Sequence, residues 1–384
     1  MKILYTSTIP LSINSSANMR NVGLLKGLTE LGYEIYTLTP KHSETDIAYD
    51  KTLVKDLNIT NEIFFDKSLL YSNLTTKKSN HIKKFIKSFL NKIYQSLSIY
   101  DSRKKLIRIS KENFENKYFD YIISSSDPKS AHLVVKEIKL NKYVLYGEWI
   151  QYWGDPFASD INKVSIVPNI LISNQERKIL NLADKIVYTS PFTLKDQMKK
   201  YPLSANKMIY TPTAISQKII FNDQNKNDFY VGYYGDYYSK DRNINPLVKS
   251  QKKNKFKLEI VGRTDIKLQN FEELIVRDRV QQKELIKLMN KISLLICVCN
   301  KHGNQIPGKI YQYAATNKPI LIILDGELKQ DMRQYFDSFD RFYTCENNEK
   351  SISETIDFIK KENREFIPLE LLEPKMVAKK VLEN

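Results

Sequence analysis

The clearest chemical signal in the sequence is a polar loop that opens a helix within residues 303–323. An apolar run precedes the loop and predicts a buried strand, while Pro319 begins the next strand. The first turn of a helix presents free backbone N–H groups and a partial positive charge, to which Lys309 adds a full charge. This combination predicts a diphosphate site, with Gln312 placed to bond ribose hydroxyls; the alternative is a plain strand–loop–helix–strand unit. The predicted contacts are Pro307, Gly308, Lys309, Ile310 and Gln312.

A second group of candidates follows strands predicted in the first half of the chain. Asp155 lies in a loop, where a carboxylate can orient or deprotonate a hydroxyl group; the alternative is that it caps the next helix. Arg20 can meet a phosphate, or form a surface ion pair.

Further candidates follow strands predicted in the second half. Gly235 has no side chain and lets the backbone approach a diphosphate closely. Arg242 and Arg263 each come shortly after a strand and can pair with phosphate oxygens.

Short apolar and β-branched runs predict buried strands, and they alternate with amphipathic segments of helical period. The strands are predicted at residues 3–6, 34–38, 118–124, 143–146, 185–189, 229–234, 257–261, 293–298 and 319–324. Helices are predicted at residues 22–31, 173–182, 281–291 and 309–317. This alternation indicates an α/β fold with doubly wound parallel sheets covered by helices on both faces.

The series of strands and helices runs twice along the 384 residues, which predicts two domains. The first covers residues 1–210 and the second residues 225–365, with a boundary near 205–225 in a polar stretch. Doubly wound sheets bind ligands at the carboxyl ends of their strands. Two such domains facing each other would form a cleft lined by the candidate residues.

Residues 77–117 carry twelve lysines and arginines against three acidic residues, a net charge of +9 within a total of +16. Apolar residues recur at helical spacing across 82–97, with lysines at the other positions. The pattern is typical of a basic amphipathic helix on an anionic membrane surface. The alternative is a helix that docks on its own sheet and exposes its lysines to water.

Composition excludes several classes of protein. The three cysteines do not form a zinc motif, and their sparse number fits a reducing compartment, so we expect a cytoplasmic protein. We find neither a signal peptide nor an apolar run long enough to span a membrane. The sequence lacks a D-x-D motif and a nucleic-acid recognition motif, so we expect no metal, no other cofactor and no nucleic-acid partner.

Residues 307–320 resemble the nucleotide-binding pattern of the retaining, group 1 glycosyltransferases with the GT-B fold, which build capsule, O-antigen and lipopolysaccharide. That pattern is roughly P-x-K-x-x-E-Y-x-A-x-G-K-P-I, and most positions match in register. Other segments resemble the same family in the same order. They are residues 5–20, 124–132, 143–157, 176–190 and 232–243.

The resemblance implies a GT-B fold of two Rossmann-like domains, with residues 366–384 forming a helix that crosses back to the first domain. It implies a hexosyl-type transfer from a nucleoside-diphosphate sugar to a glycan acceptor, lipid-linked in this family, without a metal and with retention of configuration. The catalytic positions are then Asp155 and Asn304, and the acceptor contacts are Ser16, Arg20, Ser126 and Trp153. The ring of Trp153 would offer an aromatic face to a sugar, with core packing as its alternative role. The first glutamate of the family's E-x7-E pair is replaced by Asn304 and the second by Gln312, and the family's arginine before Asp155 is replaced by Gly154. A non-catalytic binding protein and a nucleotide-sugar epimerase are the alternatives.

Overall fold

The computed structural model describes residues 1–41, 48–65, 93–115, 117–161, 163, 165–215, 217–222, 229–271 and 273–383. The chain divides into two compact units. Unit 1 comprises Met1–Ser216 and Leu371–Asn384, and unit 2 comprises Gln217–Glu370.

The strands of unit 1 are β1 Lys2–Thr6, β2 Glu34–Thr39, β3 Asn61–Phe64, β4 Tyr118–Ser125, β5 Leu145–Trp153, β6 Lys185–Tyr188 and β7 Met208–Tyr210. Those of unit 2 are β8 Tyr230–Tyr234, β9 Lys257–Val261, β10 Leu274–Arg277, β11 Leu294–Val298, β12 Ile320–Leu324 and β13 Tyr343–Glu346. The described helices are α1 Ser16–Glu30, α2 Ala131–Asn141, α3 Asn169–Leu182, α4 Pro191–Lys200, α5 Asn245–Asn254, α6 Gln282–Asn290, α7 Gly308–Ala314, α8 Lys329–Asp337, α9 Glu349–Lys361 and α10 Pro374–Leu382.

Unit 1 is built on a seven-stranded sheet in the order β3-β2-β1-β4-β5-β6-β7, with every pair parallel. Strand β1 shows how the sheet is buried on both faces. Leu4 packs into one apolar cluster, while Ile3 and Tyr5 pack into another, as the two-residue period of a strand requires. The order reverses between β1 and β4, so their carboxyl ends mark the switch point where ligands bind in such sheets.

The C-terminal helix α10 belongs to unit 1 and packs on α1. Val377 and Val381 share an apolar cluster with Leu24 of α1. A Cβ atom on Gly27 would lie 1.9 Å from the carbonyl oxygen of Pro374, so the two helices approach as closely as a glycine allows.

Unit 2 has a six-stranded parallel sheet in the order β10-β9-β8-β11-β12-β13. Its core includes Val231, Leu258 and Ile296 from three neighbouring strands. The order reverses between β8 and β11, and α7 follows the loop that leaves β11. Both units are therefore doubly wound α/β sheets, which confirms the predicted fold class.

The structure also corrects three element bounds. Strand β5 runs on to Trp153, whereas the sequence predicts an end at residue 146, because buried side chains continue to the end of the strand. Helix α1 begins at Ser16, six residues earlier than predicted, since the Ser15 side chain accepts a hydrogen bond from the Asn18 N–H and caps it. Helix α7 ends at Ala314 instead of residue 317.

Most of the predicted basic amphipathic helix, residues 82–92, lies outside the described residues, and residues 93–97 are helical. Among the helices that the structure describes, we find none whose length and apolar character would carry it across a bilayer.

Candidate functional site

In unit 1, helix α1 delivers Arg20 to the carboxyl end of β4. Arg20 is 8% exposed, and its Nη2 donates a hydrogen bond to the backbone oxygen of Ser126. Its guanidinium lies 5.7 Å from the centre of the Tyr152 ring. Arg20 is therefore a buried cation at the switch point of the sheet, beside the loop that holds Asp155.

Asp155 lies in a cluster of three half-buried carboxylates with Asp127 and Asp160, whose oxygens all lie within 4.8 Å of one another. Lys129 donates to the carboxylate of Asp127, and its Nζ lies 3.1 Å from Oδ2 of Asp160. The spacing of the three carboxylates would suit a cation, and in this structure the ammonium of Lys129 supplies positive charge to two of them.

Burial and the neighbouring Asp127 charge raise the pKa of Asp155 to about 7, against the opposing charges of Lys129 and Arg20. Burial works in the same direction on Asp127, but Lys129 and Arg20 outweigh it and lower the pKa of that carboxyl. Neighbouring carboxylates with pKa values driven apart are typical of acid–base sites. Asp155 is thus the carboxylate best suited to exchange a proton near neutral pH.

Glu176 fixes the loop that follows Asp155. Its buried carboxylate accepts hydrogen bonds from the backbone N–H of Phe157 at 2.7 Å and of Ala158 at 3.1 Å. The Tyr201 hydroxyl donates to the same carboxylate at 2.6 Å. These bonds set the path of the chain two to three residues after the candidate base.

Trp153 is predicted to stack on a substrate, but the structure places it in the core with no exposed surface. Its indole N–H donates to Oε1 of Gln151 at 3.1 Å, and its ring lies 4.1 Å from that of His132. The prediction is wrong because β5 continues to Trp153 and turns the side chain inward. Trp149, also buried, donates to the hydroxyl of Ser124.

The remaining unit 1 candidates lie at the same edge of the sheet. Ser16 is exposed as the first residue of α1. Ser126 is buried, and its hydroxyl has no hydrogen-bond partner among the described residues. Both residues lie beside Arg20: Ser16 is on the same helix, and Ser126 provides the carbonyl oxygen that Arg20 bonds.

In unit 2, the carboxyl ends of β8 and β9 approach closely around two glycines. The Gly235 N–H donates to the Val261 oxygen at 2.9 Å, and a Cβ on Gly262 would lie 2.0 Å from the oxygen of Gly235. A Cβ on Gly235 itself would meet no atom closer than the Cγ of Lys309, at 3.9 Å. Gly235 therefore borders open space beside the Lys309 stem.

Lys309 is half-buried in the first turn of α7, with no hydrogen bond or ion pair to any residue that the structure describes. Burial and the nearby Arg279 lower its pKa to about 8. Arg279 forms an ion pair with Asp236, whose carboxylate also accepts the N–H of Arg263 at 3.0 Å. Two cations thus lie near the Gly235 backbone, which suits an anionic group.

Two of the residues predicted to bind the donor already have bonding or packing partners within unit 2. Arg242 donates to Oδ1 of Asn300 at 2.9 Å and to the Asp236 oxygen at 2.8 Å, so it ties the loop after β8 to the loop after β11. The Ile310 side chain is fully buried, and its N–H donates to the Pro307 oxygen at 3.0 Å. Ile310 therefore packs α7 on the sheet and has no free donor to offer a ligand.

The other candidates of this region lie in or beside α7. Asn304 and Gln312 are half-buried, Pro307 is buried, and Gly308 and Arg263 are exposed. A Cβ on Gly308 would meet nothing within 4 Å, so the start of α7 is open.

Sequence reasoning missed several residues that the structure places at these sites. They are Asp127, Lys129 and Asp160 around Asp155, and Arg279 and Gln305 near Lys309. Gln305 is 5% exposed, and both atoms of its side-chain amide have no partner among the described residues. Asp127 and Lys129 could have been found from their position shortly after a buried strand. Arg279 could not, because it follows the short edge strand β10, which has no continuous apolar run.

The two doubly wound units define a protein of the GT-B fold class. No family model and no curated protein matches the sequence. Solved structures match nearly the whole chain. The catalytic domain of starch synthase IV from Arabidopsis thaliana, bound to ADP and acarbose, is 10% identical with a TM-score of 0.59, covering 100% of this chain and 95% of that one.

HepE from Anabaena, in complex with UDP, is 11% identical with a TM-score of 0.55, covering 99% of this chain and 94% of that one. The UDP-GlcNAc 2-epimerase from Neisseria meningitidis, bound to UDP-GlcNAc, is 11% identical with a TM-score of 0.51, covering 100% of this chain and 98% of that one. These similarities support the GT-B fold.

Proposed function

We propose that this protein is a glycosyltransferase that takes a sugar from a nucleoside-diphosphate donor. The observation that carries the proposal is Lys309, a half-buried ammonium at the carboxyl edge of the unit 2 sheet, close to Arg279 and against the bare backbone of Gly235. Positive charge beside an exposed glycine backbone suits a diphosphate. HepE, bound to UDP, and starch synthase IV, bound to ADP, have the same fold.

In the proposed reaction, the oxygen of the acceptor hydroxyl bonds to the anomeric carbon of the sugar as the bond between that carbon and the diphosphate breaks. The nucleoside diphosphate leaves, and Lys309 and Arg279 stabilise the charge that develops on it. Asp155 orients the acceptor hydroxyl and takes its proton. The Asn304 and Gln312 amides bond sugar hydroxyls in place of the glutamates of the family pattern. We expect transfer of a hexose with retention, without a metal, to a surface glycan carried on a lipid.

A thermal-shift screen against UDP, ADP, GDP and CMP, each with and without its common sugars, tests the donor site. A ligand at about 100 times its Kd stabilises the folded state by about 2.7 kcal/mol, which gives a clear shift. We expect a selective shift with one nucleoside diphosphate, and a clearly smaller shift in Lys309→Met. A well-folded sample that responds to none of these nucleotides would refute the donor site.

We also propose that unit 1 binds the cytoplasmic face of a membrane, where a lipid-linked acceptor would lie. Two segments distant in sequence meet where the Ile166 N–H donates to the Ser96 oxygen at 2.8 Å. The two segments that this bond joins carry large apolar side chains that are between 40% and 72% exposed, and the exposed Lys104 and Lys105 follow the first segment. The apolar residues are Ile93, Leu97, Ile166, Ile170 and Leu171. Apolar insertion beside cationic residues is typical of peripheral binding to anionic bilayers.

Flotation with phosphatidylglycerol vesicles tests this surface. We expect Ile166→Ser/Ile170→Ser to reduce vesicle binding at least about tenfold, because each buried methylene contributes roughly 0.8 kcal/mol. Leu203→Ser is the matched control, since Leu203 is 85% exposed and lies on another segment of unit 1. Equal binding by the double variant and the wild type would refute the surface.

The similarity in fold to the UDP-GlcNAc 2-epimerase favours one alternative, an epimerase that acts on the nucleotide sugar alone. Incubation with the donor identified by thermal shift, without acceptor, distinguishes the two: an epimerised sugar supports the alternative. If this protein binds the donor but neither transfers nor epimerises its sugar, the result supports a non-catalytic role. Gln312→Glu would then be the variant expected to restore activity.

A further inference from the structure

The side-chain space of Gly154 is occupied by the guanidinium of Arg20. A Cβ atom on Gly154 would lie 2.1 Å from Nη1 of Arg20 and 2.5 Å from its Cζ. The two residues are far apart in sequence, yet the end group of Arg20 fills the volume that a side chain at position 154 would need. Any side chain at position 154 would therefore have to displace the guanidinium of Arg20, which reaches this point from α1.

The guanidinium has electrostatic consequences at this position. Its charge lowers the pKa of Asp127 and opposes the rise in the pKa of Asp155. The other charges that act on Asp155 are those of Asp127 and Lys129, from the loop after β4, and of Asp160, from the loop after β5. Two cations among the described residues act on the Asp155 carboxylate. Lys129 lies in a loop, and Arg20 lies on a helix.

Arg20 also keeps an unused donor. Its Nε is buried and has no hydrogen-bond partner among the described residues, although Nη2 donates to the Ser126 oxygen. A buried donor left without a partner is destabilising, which is a poor arrangement for a purely structural side chain. The donor indicates a ligand oxygen that Arg20 bonds when the site is filled.

We propose that Arg20 is the positioning residue of the Asp155 site: from α1 it holds a guanidinium in the side-chain space of Gly154, next to the candidate base. This inference rests on the proposed role of Asp155. Arg20 holds positive charge beside Asp155 and offers its Nε–H to an oxygen of the acceptor. The site therefore needs the charge of this side chain and not only its volume.

Replacement of the guanidinium by charged and neutral side chains tests the proposal. We expect Arg20→Ala to lower kcat by up to about tenfold on the acidic side of pH 7, since a pKa change of one unit is at most a tenfold change in the ionised fraction. Arg20→Lys keeps the positive charge and should retain most of the activity. Arg20→Met, which fills a similar volume without charge, is the matched control and should lose as much as Arg20→Ala. Equal activity of the methionine and lysine variants would overturn the proposal and leave a space-filling role.

A second measurement does not depend on catalysis. Titration of ¹³C-labelled aspartate carboxyls, with Asp155 assigned through Asp155→Asn, follows this group in the protein alone. We expect Arg20→Ala to raise the midpoint by about one unit, and Arg20→Lys to leave it near the wild-type value. An unchanged midpoint in Arg20→Ala would refute the proposal. If the wild type transfers no sugar but the midpoint moves as expected, the proposed function fails while the placement of charge stands.

Discussion

Asp155→Asn is expected to lower the rate of sugar transfer by about 10²–10⁴-fold, the usual contribution of a general base. Asparagine keeps the size of the side chain but cannot accept the proton of the acceptor hydroxyl. Binding of the nucleotide should be unchanged, because the donor candidates lie in unit 2 and Asp155 lies in unit 1. Release of nucleoside diphosphate in the presence of acceptor measures the rate, and thermal shift measures binding.

The pH dependence of the wild type provides a second check on Asp155. Burial and Asp127 raise its pKa to about 7, and only the deprotonated form is a base, so the rate should rise with pH through about 7. Asp357→Asn is the matched control, because Asp357 is exposed on α9. A rate for Asp155→Asn within twofold of the wild type would exclude Asp155 as the base.

Lys309→Met is expected to weaken binding of the nucleoside diphosphate by about 10–100-fold. A hydrogen bond to a charged group contributes about 1.5–3 kcal/mol, and methionine keeps the aliphatic stem beside Gly235 while removing the charge. Isothermal titration with the nucleotide found by thermal shift measures the change. Lys291→Met, at an exposed lysine of the same unit, should bind as the wild type does.

The basic side of the pH profile tests Lys309 separately. Burial and Arg279 lower its pKa to about 8, so the ammonium that binds phosphate is lost as the pH rises through 8. Nucleotide affinity should therefore fall between pH 7 and pH 9 in the wild type and stay level in Lys309→Met. A parallel fall in both proteins would show that another group titrates. The rate of sugar transfer should therefore show a bell-shaped pH profile, rising as Asp155 loses its proton and falling as Lys309 loses its own.

The pattern of correct and missed strands has a physical origin. All nine predicted strands exist, while the four that the sequence did not reveal are β3, β7, β10 and β13. These four are the edges of the two sheets. An edge strand is short and half-exposed, so its residues form no continuous apolar run, whereas the central strands are buried on both faces.

The same distinction applies to the sites. Lys309, Gly235 and Asp155 could be predicted, because each follows a central strand or opens a helix beside one. Arg279 could not, since it follows the edge strand β10. Trp153 and Ile310 were predicted to contact ligands, but both pack in the core. The sequence does not show whether an apolar residue near the end of a strand or helix faces the core or the solvent.

The sequence alone therefore determined the two doubly wound sheets, since hydrophobic periodicity and turn residues are local properties of the chain. It also determined which loops lie at the carboxyl ends of the central strands. Only the tertiary structure decided which charges meet there: Lys129 between Asp127 and Asp160, and Arg20 in the space beside Gly154. The physical reason is that the pKa of Asp155 depends on distances between charges from separate segments, and no local pattern encodes those distances.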